Sequence, residues 1–365
     1  MLKIANIVGA RPNFMKIAPI HRLMQSHNGF SPFLIHTGQH YDEKMSQTFF
    51  KELGMPEPDL YLGVGSGSHA RQTAAIMIEL EKIFFEQRPD RVVVVGDVNS
   101  TLAASLVASK LHIPVAHVEA GLRSFDRTMP EEINRILTDS VSDLMFVSEK
   151  SGLTNLKNEG FSGNKIHLVG NVMIDSLIEH LDKAEASTIL DDLGIKSGDY
   201  ALMTLHRPSN VDDEEVLRDI VSALEMITND LPVIFPIHPR ALKMLQEFKL
   251  DQEIRRLNNL FLLEPLGYLT FLKLMRYARL ILTDSGGIQE ETTYLKVPCL
   301  TLRQNTERPV TIELGTNRLV GSSKEDIISA VEAVINGDGV TGEIPHLWDG
   351  KSAARIVEIL SQFNG

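Results

Sequence analysis

The chain is poor in cysteine, in long apolar runs and in positive charge. Its 365 residues include one cysteine, Cys299. An internal disulfide is therefore excluded, which fits a reducing compartment. Cys299 lies in the apolar run Val297-Pro-Cys-Leu-Thr-Leu302, where a buried core thiol is favoured over a nucleophile. No stretch approaches the ~18 consecutive apolar residues of a membrane span. The start, Met1 to Gly9, is too short for a signal h-region and carries no small-residue cleavage site. It reads as a first strand, so the expected location is the cytoplasm, with no membrane partner. Basic residues number 36 against 48 acidic, a formal net charge of −12. That balance argues against a broad basic surface and a nucleic-acid partner. An anionic small ligand stays open, because screening over about 8 Å lets a few local cations outweigh the global sign. Short repeats and low-complexity tracts are absent.

What is present is an ordinary globular composition, 43% hydrophobic and 23% charged. Disorder and collagen-like structure are thereby excluded. At roughly 150 residues per domain the length suggests two domains, with three as the alternative. Short apolar runs alternate with longer amphipathic stretches. The expected strands are Lys3–Val8, Phe33–Thr37, Arg91–Val95, Pro114–Glu119, Leu144–Val147 and Ile166–Val169. A second series follows at Ala201–Leu205, Pro232–Pro236, Leu260–Leu263, Leu280–Thr283, Pro298–Leu302 and Arg318–Val320. Between them lie helical patterns such as Ser100–Lys110, Glu131–Val141, Asp213–Thr228, Tyr268–Tyr277 and Lys324–Ile335. Strict β/α alternation implies parallel sheets covered on both faces. The expectation is an α/β chain of two Rossmann-like, doubly wound domains, 1–181 and 182–350. A closing helix over about 351–365 is assigned back to the first. The polar, aperiodic stretch Asp182–Asp199 is the linker candidate. In such sheets ligands sit beyond the carboxyl ends of strands, and with two domains the natural site is the cleft between them.

The residues that follow the strands are therefore the ones to read. After the first strand comes Gly9-Ala-Arg-Pro-Asn-Phe-Met-Lys16, which is not the dinucleotide fingerprint. Arg11 and Lys16 suit a phosphate, and equally suit a solvated helix start. The glycine-rich run Leu62 to His69 reads as an ordinary loop. Gly350-Lys-Ser352 imitates the tail of a phosphate-binding loop, but Pro345 stands where its first glycine is needed. His36 and His40 are four apart with Gly38 between them, which argues against a zinc pair. Gly96-Asp-Val-Asn-Ser-Thr101 offers Asp97 as a helix-capping or a functional carboxylate, and Asn99, Ser100 and Thr101 as cap residues. Val118-Glu119-Ala-Gly121 places a carboxylate at a buried strand tip, where an unpaired charge is costly, so the functional reading of Glu119 wins. Glu131 and Glu132 follow Pro130 and alone read as helix-start charges. Together Asp97, Glu119 and Glu131 form a carboxylate set suited to acid/base work. The second half supplies His206-Arg207-Pro208, His238-Pro-Arg240 and Asp284-Ser-Gly-Gly-Ile-Gln-Glu-Glu291. In the last, a strand turns through Ser285, Gly286 and Gly287 into a helix, a ready anion site. Glu290 or Glu291 could accept from ribose hydroxyls. Glu307-Arg-Pro309 adds Arg308 near a strand end.

Taken in order from Gly9 to Gly321, these motifs, with His36-Thr-Gly-Gln-His40 and Pro130-Glu-Glu-Ile-Asn-Arg135, resemble the non-hydrolysing bacterial UDP-N-acetylglucosamine 2-epimerases. The resemblance implies the two-domain GT-B-like fold with an interdomain active site, and a homodimer. It implies proton transfer by Asp97, Glu119 and Glu131, with His206 as the essential histidine. It sets Arg11 and Lys16 toward a diphosphate, makes Ser285, Gly286, Gly287 and Glu291 the nucleotide loop, and makes Arg308 a substrate-binding arginine. The reaction implied is inversion at C2 of a UDP-sugar. UDP is eliminated as the C2 proton leaves, and a glycal is re-protonated on the opposite face. No net oxidation occurs, so no nicotinamide is needed, and no cofactor or metal site is expected. Two departures stand out. Glu264-Pro-Leu266 replaces a segment that carries glutamine in many relatives. Part of the pattern that binds an activating second substrate is missing around Gly38 to Met45, and Tyr41-Asp-Glu-Lys-Met-Ser46 is similar to the branch acting on UDP-diacetamido-uronic acids. The alternatives are thus a UDP-2,3-diacetamido-glucuronic acid 2-epimerase, or a hydrolysing epimerase releasing N-acetylmannosamine and UDP. A GT-B glycosyltransferase and a silent nucleotide-sugar sensor are the remaining rivals.

Overall fold

The apolar runs become strands because they are β-branched, short and bounded by turn residues. Arg91–Val95 is the extreme case, a valine run buried along its whole length. A computed structural model describes residues 1–38, 54, 56–338 and 341–363, and of Arg11 the backbone. Gln39, His40 and Tyr41–Ser46, singled out above, lie outside the described residues, as does the Arg11 side chain.

The chain falls into two units. The first comprises Met1–Ile178 and His346–Gly365, the second Glu179–Pro345. The first holds β1 (Leu2–Val8), β2 (Phe30–His36), β3 (Leu60–Tyr61), β4 (Arg91–Val95), β5 (Val115–Val118), β6 (Leu144–Val147) and β7 (Ile166–Leu168). They form one sheet in the order β3-β2-β1-β4-β5-β6-β7. The second unit holds β8 (Ala201–Thr204), β9 (Val233–Pro236), β10 (Leu260–Leu263), β11 (Leu280–Thr283), β12 (Cys299–Thr301) and β13 (Asn317–Leu319). Their order is β10-β9-β8-β11-β12-β13. Every described pairing in both sheets is parallel.

All twelve expected strands form. Strand β3, which was not expected, pairs only Leu60 and Tyr61 with Ile35 and His36, too few residues to leave a pattern. Helices cover both sheets. Ile76, Leu80 and Phe84 of the helix His69–Gln87 pack on Val92 and Val94. In the second unit Leu217, Ile220, Val221 and Leu224 pack on Met203 and Phe235. Cys299 is fully buried and its thiol is pushed up to about 11 by burial, as a core role demands.

The first sheet is closed by chain that follows the second unit in sequence. Trp348 is buried and its Nε1 donates to the Ser148 carbonyl at 3.1 Å. Asp175 accepts from the backbone N–H groups of Ser352 and Ala353 at 3.1 and 2.7 Å, capping the helix Ser352–Gln362. Arg91 Nη1 donates to the Leu360 carbonyl at 2.6 Å. Gly170 makes the approach possible: a Cβ there would lie 2.0 Å from the Leu347 carbonyl oxygen.

Candidate active site

Each sheet reverses its winding direction once, between β1 and β4 in the first unit and between β8 and β11 in the second. Connections leaving adjacent strands in opposite directions open a crevice at their carboxyl ends, where ligands bind in this class of sheet. The segments after those four strands begin at Gly9, Gly96, Leu205 and Asp284. They carry most of the residues singled out from the sequence.

In the first unit the two connections touch. A Cβ at Gly9 would lie 2.0 Å from Ser100 Oγ, so only glycine fits. Ser100 is in turn 2.8 Å from Thr37 Oγ1. The helix after β4 begins at Asn99 with Val98 at its cap position and no side-chain cap. Asn99, Ser100 and Thr101 therefore do not cap it, contrary to the sequence reading. Thr101 Oγ1 instead donates back to the Val95 carbonyl at 2.9 Å.

Glu119 lies just past β5 with φ +72°, a conformation that costs energy for any residue with a Cβ. It is 4% exposed. Its Oε2 accepts from Lys16 Nζ at 2.6 Å, and Lys16 is buried as well. Glu119 Oε1 is buried and has no hydrogen-bond partner among the described residues. An orphaned carboxylate oxygen is a rare and costly feature, and one that a reacting proton would satisfy. Gly96, at φ +69°, leaves the space that brings Glu119 Oε2, Lys16 Nζ and Asn13 Nδ2 together.

Asp97 pairs with Arg135 Nη1, and its backbone carbonyl accepts from Asn134 Nδ2 at 2.8 Å. It therefore answers the helix Pro130–Ser140 and does not cap the one that follows it. That helix separates two neighbouring glutamates. Glu132 is buried, takes Arg135 Nη2 at 2.8 Å, and accepts from the N–H groups of Ser124 and Phe125 at 2.9 and 3.0 Å. Burial would raise its pKa, but these donors outweigh burial and hold it below the usual carboxylate range. Glu131 sits in the same first turn, partly exposed. Within β5, His117 is fully buried, with Nδ1 2.7 Å from Asp139 and Nε2 2.9 Å from the Gly96 carbonyl. Asp139 also pairs with Arg123 at 2.8 Å.

In the second unit Asp284 organises the crevice. It is fully buried and its Oδ1 lies 2.8 Å from His206 Nδ1. Its Oδ2 accepts from the backbone N–H groups of His206 and Arg207 at 2.9 and 2.7 Å. Burial pushes the carboxyl up, yet His206 and these N–H groups hold it below its ordinary value. The His206 ring is thus fixed through Nδ1, while 39% of its side chain stays exposed. His238 stands beside it, ring centroids 5.7 Å apart. The Ser285 N–H is taken by Thr283 Oγ1 at 3.0 Å. The helix Gly286–Leu295 has no side-chain cap and no acidic residue in its first turn, so its first N–H groups and dipole are left for an anion.

Arg308 is buried between Glu290 and Glu307, 2.6 Å from each. Glu291 accepts from Tyr268 Oη at 2.7 Å. Gly286 leaves room for this cluster: a Cβ there would lie 2.7 Å from Glu307 Oε1 and 2.9 Å from Arg308 Nη1. Gly286→Ala is therefore expected to weaken a phosphate-bearing ligand at this helix start about tenfold or more, since 1.4 kcal/mol is a tenfold loss and overpacking costs about 1–3 kcal/mol. Calorimetric titration with a nucleoside diphosphate measures it, and unchanged affinity would show that this helix start takes no part in holding an anion.

Sequence reasoning did not assign Asp284, Arg135, Glu132 or His117. Asp284 was quoted at the head of its motif, which was the available signal. Among the described residues no group of three or more His, Cys, Asp or Glu side chains is placed to hold a metal ion. No described helix is long and apolar enough to cross a membrane.

Comparison with known proteins bears on this arrangement directly. A family model described as UDP-N-acetylglucosamine 2-epimerase matches residues 22–361. A UDP-N-acetylglucosamine 2-epimerase of Methanocaldococcus jannaschii is 48% identical over 371 residues, covering 99% of each chain. The UDP-2,3-diacetamido-2,3-dideoxy-D-glucuronate 2-epimerase of Pseudomonas aeruginosa is 40% identical, covering 99% of this chain and 100% of its own. The crystal structure of the M. jannaschii enzyme in complex with UDP-GlcNAc and UDP superposes with a TM-score of 0.93, covering 99% of this chain and 100% of that one. With its two parallel α/β sheets and these relatives along its whole length, the chain belongs to the UDP-N-acetylglucosamine 2-epimerase family.

Proposed function

We propose that the protein interconverts UDP-N-acetylglucosamine and UDP-N-acetylmannosamine by eliminating UDP and adding it back. The observation that carries the reading is Glu119, a buried carboxylate in a strained conformation with one oxygen left unsatisfied among the described residues. The C2 hydrogen of such a sugar is not acidic, because its carbon does not adjoin a carbonyl. Its removal is feasible when the C1–O bond to UDP breaks as the proton leaves. The electron pair of the C–H bond becomes the C1–C2 double bond, and the pair of the C1–O bond leaves with UDP. Returning a proton to the other face of C2 needs a second group, which explains a set of carboxylates. Asp97, Glu119 and Glu131 form that set, with Lys16 holding Glu119 in place. A positioned acid or base contributes about 10²–10⁴-fold.

In the second unit His206 and the helix start at Ser285, Gly286 and Gly287 stabilise the departing diphosphate. Arg11 adds a cation. Arg308 supports Gly286 from behind, and Glu291 with Tyr268 faces the nucleoside. The enzyme works in the cytoplasm as a homodimer, without cofactor, supplying an activated aminosugar for surface polysaccharide. The more similar curated relative acts on the N-acetylglucosamine substrate by name, which favours that sugar over the diacetamido-uronic acid.

Incubation with UDP-N-acetylglucosamine in heavy water, followed by proton and phosphorus NMR, tests the reading. The expected result is UDP-N-acetylmannosamine with deuterium at C2. Free UDP with free N-acetylmannosamine would make the protein a hydrolysing epimerase. Silence with this sugar and turnover of the diacetamido-uronic acid would move it to that branch.

A further inference from the structure

Backbone strain is unevenly distributed in this chain. Among the described residues eight other than glycine have positive φ: Arg88, His112, Glu119, Phe125, Lys249, Asn259, Lys296 and Leu347. Arg88 and Lys296 terminate helices, where the left-handed conformation is a normal stop. His112 and Lys249 lie two residues past helix ends, and Asn259 directly precedes β10. Leu347 lies in the segment packed against Gly170; Glu119 and Phe125 have no such excuse, and both fall in the one connection between β5 and the helix Pro130–Ser140. Glu119 is already accounted for by the proposed reaction. Phe125 is not.

Phe125 has φ +60°, a genuine outlier for a bulky side chain. The residue is 77% exposed, more than any other large apolar residue among those described except Met1. The conformation is not slack. The Phe125 N–H donates to Glu132 Oε1 at 3.0 Å. Ser124 donates to Glu132 Oε2 from its N–H and its hydroxyl at 2.9 and 3.0 Å. Asp126 Oδ1 accepts from Thr128 N–H and Oγ1 at 3.0 and 2.6 Å. Glu132 is buried and held by Arg135, which also grips Asp97. The loop is locked to the same arginine as a proposed proton-transfer carboxylate, and what it displays is an uncovered phenyl ring. Strain held in place by several bonds marks function more than folding.

We infer that Phe125 is a substrate-contacting residue whose ring packs on the apolar face of the aminosugar, opposite groups that reach its polar edge. This rests on the proposed function. Its partner is the pyranose ring and acetamido methyl of a UDP-sugar, not the nucleotide. Burying the ring on the sugar returns the apolar surface that the loop leaves in water.

The test compares wild type with Phe125→Ala, Phe125→Tyr and Phe125→Gly, using UDP and UDP-N-acetylglucosamine as probes. Phe125→Ala should raise KM and Kd for UDP-N-acetylglucosamine about tenfold and leave Kd for UDP unchanged. Phe125→Tyr should restore most of that loss. Phe125→Gly should share the sugar defect yet melt at a higher temperature than wild type, because glycine accepts φ +60° freely. Sugar affinity unchanged in Phe125→Ala, or UDP weakened in parallel with it, would overturn the inference. So would a glycine variant that melts below wild type. A wild-type protein that binds UDP but neither binds nor turns over the UDP-sugar would instead refute the proposed function.

Discussion

Glu119→Gln should cut turnover about 10³-fold and leave UDP affinity unchanged. The substitution preserves shape and removes the one property a proton acceptor needs. UDP affinity survives because the nucleotide is assigned to the helix start of the second unit, not to Glu119. A second effect must be separated from the first. Lys16 Nζ lies 2.6 Å from Glu119 and both are buried, so neutralising the carboxylate strands a cation. Breaking one side of a buried pair costs about 3–5 kcal/mol, and the single variant should melt early. Glu119→Gln with Lys16→Met should recover much of the melting temperature and none of the turnover. Single-variant turnover within about tenfold of wild type would remove Glu119 from the chemistry. Asp97→Asn and Glu131→Gln are expected to share the loss of turnover with retained UDP binding.

Asp284→Asn should be nearly as damaging, about 10²–10³-fold in kcat, although Asp284 itself touches no substrate in this scheme. Every neighbour that approaches its carboxylate within hydrogen-bond range brings an N–H: the backbones of His206 and Arg207, Asn210 Nδ2 and His206 Nδ1. An asparagine must turn its own NH₂ toward one of these donors. The imidazole then loses its anchor or adopts the other tautomer. Asp284 is thus a positioning residue, and the signature is non-additivity. Asp284→Asn combined with His206→Ala should be no slower than His206→Ala alone, whereas independent losses would multiply. The pH dependence of stability gives a second readout. The carboxyl is held below its unfolded value, so its contribution is full above about pH 4 and is lost as pH falls through the folded value. The asparagine variant should lack that share of the acid limb. An unaltered acid limb together with multiplicative kinetics would refute the assignment.

Much of this arrangement was legible before any coordinates. β-Branched runs bounded by turns named the strands, and the rule that ligands gather past their carboxyl ends named Asp97, Glu119, His206 and Ser285. What stayed hidden has a common physical origin. Lys16 meets Glu119 across 103 residues, His206 and Arg207 meet Asp284 across 78 and 77, and Arg135 meets Asp97 across 38. Such pairs leave no local period. Glu131 and Glu132 illustrate the same limit at short range. As neighbours in a helix start they look equivalent, yet one is buried against the Ser124 and Phe125 amides and the other is partly exposed. A backbone angle such as that of Glu119 is equally silent in sequence, because only the folded surroundings enforce it.

The helix Ser352–Gln362, which closes the first sheet from beyond the second unit, sets the order in which this protein can be completed on the ribosome. All of the second unit, Glu179–Pro345, is translated before that helix exists. The first unit, though begun earlier, waits for a later piece: the Trp348 contact, the Asp175 cap and the Arg91 bond to Leu360 all need residues translated after the second unit. The later-encoded unit is thus finished first, inverting the usual N-to-C sequence of domain folding. Until then the nascent first unit carries an incompletely covered core, so premature termination between the two units' last residues leaves a finished second unit attached to an unfinished first one.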